Sequence, residues 1–181
     1  MPDPSVSAAL AEAYAVAPSD KVNIHTLELR HPAFLNDAGD PDSIWVTTNG
    51  ADVVATIEAA APVRGGEAVS FVSYPFRFRL APIENTASQE LEMAIDAVDR
   101  RIIENLDLAA AYGAKIQMCY RPFLSDDLDG PQMIPPPVFT LSNVRVDPLT
   151  CTARARIDID LGGAFPNRNY TAAEFPALIG Q

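Results

Sequence analysis

His25 and His31 stand six residues apart, and on a strand that spacing puts both rings on one face, where they could share a metal ion. Such a site would still need further ligands, and the helical HExxH spacing is absent, so packing or a turn bond is the plainer role. The run Asp126-Asp127-Leu128-Asp129-Gly130 opens like a calcium loop, yet the twelfth position counted from Ser125 is Pro136, where a bidentate Glu is required. It reads as a solvated acidic turn. Two carboxylate pairs, Glu90 with Glu92 and Asp158 with Asp160, would suit acid–base work in a cleft that split their pKa values. Their two-residue spacing on amphipathic strands instead puts them on an outward, charged face. Ser142 lacks a Gly-x-Ser-x-Gly context, Cys119 has no identifiable base, and Gly65-Gly66 lacks the spacing and Lys of a phosphate loop. Arg77, Arg79, Arg100, Arg101, Arg154 and Arg156 could form an anion patch, pair with acids across strands, or face a neighbouring subunit. These residues support no enzyme, and no metal or cofactor is implied.

The elements that must carry these residues are mainly strands. Ser5 to Val16 is Ala-rich, begins at a Ser and ends before Pro18, which predicts a short helix. Strands are predicted at 22–30, closed by Pro32, and at 44–48, 53–59 and 69–72, with hairpins at Asn49-Gly50 and Gly65-Gly66. Phe76, Phe78 and Leu80 alternate with Arg77 and Arg79, and Leu91, Met93 and Ile95 alternate with Glu90, Glu92 and Asp96. The period then changes: Val98, Ile102, Leu106 and Ala109 or Ala110 predict a second helix over 98–110, stopping at Gly113. Ile116, Met118 and Tyr120 alternate with Gln117, Cys119 and Arg121 in a strand that Pro122 should end. Residues 126–137, with Pro135, Pro136 and Pro137 in succession, are expected as an exposed arm or crossover, since those prolines remove donors and favour an extended path. Residues 138–147 and 151–160 predict a hairpin with Cys151, Ala153, Ala155, Ile157 and Ile159 inward. From Gly163 on, an extended tail carries Phe165, Tyr170 and Phe175.

Length and composition fit one domain over residues 1–181, mainly β, with two short helices and extended arms. With 24 acidic against 13 basic residues and a formal charge of −11, the surface repels phosphate backbones and anionic membranes. Sequence-specific nucleic-acid binding and membrane insertion are not expected. No apolar run reaches the roughly 20 residues of a spanning helix, and Met1-Pro2-Asp3-Pro4 lacks the order of a secretion signal, so folding in the cytoplasm of the producing cell is expected. Cys119 and Cys151 are unaccompanied and read as small core residues.

Four tracts carry a resemblance. Leu27-Glu28-Leu29-Arg30-His31-Pro32-Ala33-Phe34, the central Met93 to Ile102, Cys119-Tyr120-Arg121-Pro122-Phe123-Leu124-Ser125-Asp126, and the closing Phe165-Pro166-Asn167-Arg168-Asn169-Tyr170 with Phe175-Pro176-Ala177-Leu178 resemble an uncharacterised family of tailed-bacteriophage proteins. The similarity spans about Ala11 to Leu178. Its members are similar to minor tail proteins encoded near the tape-measure protein and a cell-wall peptidase, and the element order resembles the barrel and sandwich modules of tail hub proteins, which implies a β-sandwich or partly open β-barrel. The resemblance implies a structural component of the distal tail tip or baseplate of a long non-contractile tail, and it brings no catalytic residues.

A tail-tip protein of that kind closes into a ring through head-to-tail contacts. The partners implied are further copies of the chain, with three favoured over six, and the neighbouring distal tail, hub and tape-measure proteins, all at the distal end of the virion tail. Pro135, Pro136 and Pro137, with Phe165, Tyr170 and Phe175, are the candidate subunit contacts; the three aromatics could equally cover their own core. Glu90, Glu92, Asp158 and Asp160 are the candidate channel-facing acids, which would let DNA slide past. Two alternatives stand beside this one. A receptor- or carbohydrate-binding module would show an exposed cluster including Trp45 or Tyr74, and a cell-wall hydrolase would need carboxylates or a Cys/His pair converging in a pocket.

Overall fold

The computed structural model of the chain describes residues 6–16, 21–36, 38–80, 90–96, 100–147 and 150–156. In chain order they form α1 (Ala8–Val16), β1 (Asn23–Leu35), β2 (Pro41–Thr47), β3 (Val53–Thr56), β4 (Ala68–Ser73), β5 (Phe76–Leu80) and β6 (Glu90–Asp96). Then follow α2 (Arg100–Tyr112), β7 (Gln117–Leu124), β8 (Val138–Val146) and β9 (Thr150–Arg156). The strands make one nine-stranded mixed sheet in the order β3-β4-β2-β1-β7-β8-β9-β6-β5. Every neighbouring pair is antiparallel except β2 with β4.

That order forces the sheet to curl. β4 lies next to one edge and β5 is the opposite edge, yet only Tyr74 and Pro75 separate them in sequence, and the three Cα steps across that link reach at most about 11 Å. The link bonds both ends at once: Tyr74 N donates to Thr47 O at 2.9 Å, and Asp96 N donates to Pro75 O at 2.8 Å. The ring of Phe78 on β5 thereby meets Tyr120 on the central β7, centroids 6.1 Å apart. The result is a mainly β, sandwich-like fold whose sheet does not close into a barrel.

Inside the curl lies the larger core, with Leu27, Leu29, Val46, Met93, Ile95, Met118, Cys151, Ala153 and Ala155 from the strands. Helix α2 contributes Ile102, Leu106 and Ala109, the stripe its period predicts. It ends as expected at Gly113, whose φ of +78° suits a residue without Cβ and whose N–H donates to Ala109 O. On the other face of the central strands sits a second core of Ile24, Trp45, Val53, Ala55, Ile57, Val69, Phe71 and Phe123. Both faces of β1 and β7 are therefore covered.

Several expectations need correction. Pro32 does not end β1, because pairing with β7 has stopped at Arg30 and pairing with β2 is irregular between Arg30 and Leu35, so no N–H is missed there. Nor does Pro122 end β7. Its free side faces the crossover, where its carbonyl accepts from Gln132 N, and β8 pairs only with residues 117–119. No hairpin forms at Asn49-Gly50: β4 takes the place beside β2, in parallel, while β3 pairs with β4 as expected around Gly65-Gly66. The first helix begins at Ala8 rather than Ser5, with Ser7 Oγ accepting from Leu10 N at 3.1 Å as its cap.

Residues 126–137 form a crossover, and its middle is buried rather than free. Gln132 is 7% exposed; its N–H donates to Pro122 O and its carbonyl accepts from Ser7 N. Its side chain accepts from Ser7 Oγ at 2.7 Å and donates to Asp127 Oδ2 at 2.9 Å. Met133 packs with Val6 against Leu10, Ala13 and Leu124. The β8–β9 hairpin and its inward Cys151, Ala153 and Ala155 are as expected; Ile157, Ile159 and the tail after Gly163 lie outside the described residues.

Candidate functional site

Alternation puts Thr26, Glu28 and Arg30 of β1, Ser43 and Trp45 of β2, and Cys119 and Arg121 of β7 on the second-core face. There Arg121 is fully buried. Its guanidinium donates from Nε and Nη2 to the two oxygens of Glu58, each at 2.7 Å, and from Nη1 to Glu28 Oε2 at 2.6 Å. Glu28 Oε1 accepts from Ser43 Oγ at 2.9 Å, and the Arg30 Nε lies 3.8 Å from the same carboxylate. The Trp45 ring stands 5.9 Å from the Arg121 Cζ, within cation–π range.

Burial opposes a charge on Arg121, but the Glu58 hydrogen bonds, with the neighbouring Cys119 and the Glu28 carboxylate, outweigh it and raise its pKa. Two acids thus meet two basic side chains in a dry setting, the composition that makes a buried ionic cluster tolerable. The carboxylate oxygens are committed to the guanidinium and to Ser43. What this arrangement does is pin the segment after β3, through Glu58, to the centre of the sheet. The sequence pattern puts Arg121 on the face of β7 opposite Tyr120 without showing its burial: alternation assigns a face, and here both faces are covered. The signal was present in Pro122-Phe123-Leu124, a continuous buried run that marks a strand covered on both sides.

His25 and His31 are not brought together. His25 Nδ1 lies 2.6 Å from the Tyr120 hydroxyl; burial pushes the Tyr120 pKa up and the His25 pKa down. His31 Nε2 meets Ala114 O at 3.3 Å and packs between Phe34 and Tyr112. Since His25 is depressed below 6.5, the unfolded chain binds its proton more readily. Stability is then complete above about pH 6.5 and falls as pH drops toward and through the folded value. Between pH 7 and 5 the urea midpoint of His25→Gln is expected to fall less than that of the unchanged chain; an equal fall assigns the loss to other groups.

The other sequence candidates are dispersed. Asp126 pairs with Lys21 at 2.8 Å, and that bond holds its carboxyl below the usual range; Asp127 accepts from Asp129 N and Gln132 Nε2. Among the described residues no group of three or more His, Cys, Asp or Glu could hold a metal ion. Cys119 and Cys151 are buried, and burial pushes both thiols up to about 11. Trp45 is 7% exposed, so it forms no open sugar-stacking face. Pro135 is exposed and Pro136 and Pro137 are half-buried in the crossover. Asp158, Asp160, Phe165, Tyr170 and Phe175 lie outside the described residues, as do the side chains of Arg79, Glu90, Arg100 and Arg101. Among the described residues no helix is long and apolar enough to cross a membrane.

A groove of about 550 Å³ runs over the outer face of β5, β6, β9 and β8, with Arg77, Arg145 and Arg154 around Glu92, Asn143 and Thr152. Arg77 pairs with Asp96 at 3.3 Å, and Glu92 is opposite Arg79 on one side and Arg154 on the other in the strand register. The alternating arginines therefore share one face with acids, as cross-strand pairing predicts, and they still outnumber them. No curated protein matches the chain. A family model described as a domain of unknown function (DUF1833) matches residues 9–170, and the chain belongs to that family.

Proposed function

We propose that the chain is a structural component of the distal tail tip or baseplate of a long-tailed, siphovirus-like phage or phage-like particle, forming or joining a ring around the tail channel near the hub and tape-measure proteins. One observation carries the reading: the ordered tracts that resemble minor tail proteins, described above. Two of them make the central strands β1 and β7, the latter with the residue pair after it, and a third runs from β6 into α2. The region of resemblance also coincides with the family match over most of the chain.

The architecture agrees with that role. A buried ionic cluster pins a surface loop to a sheet covered on both faces, and this favours rigidity over turnover. A closed ring needs two different complementary patches on each subunit, and an arginine-rich groove on a chain of charge −11 offers one such contrast. The carbohydrate-binding alternative needs an exposed cluster including Trp45 or Tyr74; Trp45 is buried and Tyr74 is half-buried. Electron microscopy of purified tailed particles, with antibody labelling of this chain and native mass spectrometry of the tip, tests the reading. Label at the tail end with three or six copies is expected, three being favoured. A chain missing from particles sinks it.

A further inference from the structure

We propose that the groove between Arg77, Arg145 and Arg154 is a subunit contact that holds an acidic turn of a second copy of this chain. The inference rests on the ring reading above and names its interface. The first argument is the way β8 is built. Ser142 faces Arg154 in the register, so regular pairing would bring Val144 opposite Thr152; the register slips, and Arg145 takes that place. The slip passes through Asn143, whose φ of +52° is a conformation that Asn tolerates better than most residues. A bulge that re-aims one side chain is a common device beside binding surfaces. Here it exchanges a valine for an arginine on the groove face, and the Arg145 side chain has no partner among the described residues.

Charge supplies the second argument. The strands β5, β6, β8 and β9 carry Arg77, Arg79, Arg145, Arg154 and Arg156 against Glu90, Glu92 and Asp96, in a chain with a net charge of −11. Residues 21–73 have the opposite balance: seven Asp or Glu against Lys21, Arg30 and Arg64. Within that half the β1–β2 turn exposes Asp40, whose carboxylate has no partner among the described residues. The turn is held by Asn36, whose Oδ1 accepts from Ala38 N and Asp40 N, each at 2.9 Å. These bonds fix the described residues of the turn on either side of Asp40, so little of their freedom is lost on docking. Glu92 inside the groove argues for a polypeptide over a phosphate chain: it can accept from a backbone N–H of the incoming turn but repels a dense run of phosphates. One copy's groove meeting the next copy's turn is a head-to-tail contact, the kind that generates rings.

Sedimentation velocity of the full chain at about 50 mM and about 500 mM salt tests this, since exposed charge pairs are screened at the higher strength. Self-association at low salt that is lost at high salt is expected. Arg145→Glu and Asp40→Lys should each abolish it, and the double variant should restore it, an outcome no structural role of either residue produces. Thermal melts verify that the variants fold, and Arg154→Gln is a milder second probe. A chain monomeric at low salt, or Arg145→Glu associating like the unchanged chain, overturns the proposal. So does a monomer that instead binds a hexaglutamate peptide, because the groove then serves another partner. Particles that still incorporate Arg145→Glu at the tail tip refute the groove and leave the ring reading standing; an associating chain missing from particles does the reverse.

Discussion

Replacing Arg121 with alanine lowers the stability of the folded chain by about 3–5 kcal/mol, the cost typical of breaking a buried ion pair from one side. The reason lies in what remains. Glu28 is fully buried and Glu58 nearly so, and without the guanidinium their carboxylates face each other across the vacated space with only Ser43 and the more distant Arg30 to answer them. They must then protonate, draw in water, or release the Glu58 segment. Urea unfolding at pH 7 measures the loss, and its pH dependence separates the routes. If protonation rescues the variant, its deficit shrinks as pH falls toward the carboxylate range, because the folded variant, with its acids buried and unpaired, then takes up those protons more readily than the unfolded chain. A loss below about 1 kcal/mol would match an exposed pair and contradict the burial of the cluster.

Removing the whole cluster is a different experiment from breaking it. Exchanging Glu28, Glu58 and Arg121 together for apolar residues of similar volume removes both the mutual attraction and the desolvation cost, and such exchanges are often neutral or stabilising. The triple exchange is therefore expected to leave the urea midpoint at or above that of the unchanged chain, although the bonds that seat the Glu58 segment on β1 and β7 are gone.

How much of this was legible in the sequence depends on what alternation can say. Where a strand has one solvated face, as in β5, β6 and β9, apolar and charged residues alternate and the strands are read correctly with their faces. The 3.6-residue period of Ile102, Leu106 and Ala109 likewise identifies α2. In β1 and β7 the same alternation misleads, because Glu28 and Arg121 occupy the polar positions of a face that the β3–β4 hairpin covers, and that cover is a long-range fact. The prolines misled for a related reason. Pro32 and Pro122 break a strand only where a neighbour needs their N–H; pairing is irregular around Pro32, and at Pro122 the β8 side has ended while β1 stays paired. Arg145 escaped notice because the slip in β8 is visible only in the register.

The hairpin that hides the cluster supplies the second large effect: Phe71→Ala is expected to cost about 3–5 kcal/mol. Phe71 is fully buried on β4, with its ring edge-on to Trp45, centroids 5.6 Å apart, and 5.9 Å from Phe123. It joins the hairpin to both β2 and β7, and Trp45 in turn lies over Arg121. A cavity there loosens the wall of the ionic cluster as well as the apolar contacts, so the two sites should couple. In a double-mutant cycle Phe71→Ala with Arg121→Ala should cost less than the sum of the single losses, by roughly 0.5–3 kcal/mol. Val54→Ala is the control, since that side chain is 60% exposed on the opposite face of β3, and a change within about 0.5 kcal/mol is expected. Strict additivity of the first pair would mean that the second core and the ionic cluster are stabilised independently, and the hairpin would then be an apolar lid with no part in orienting Arg121.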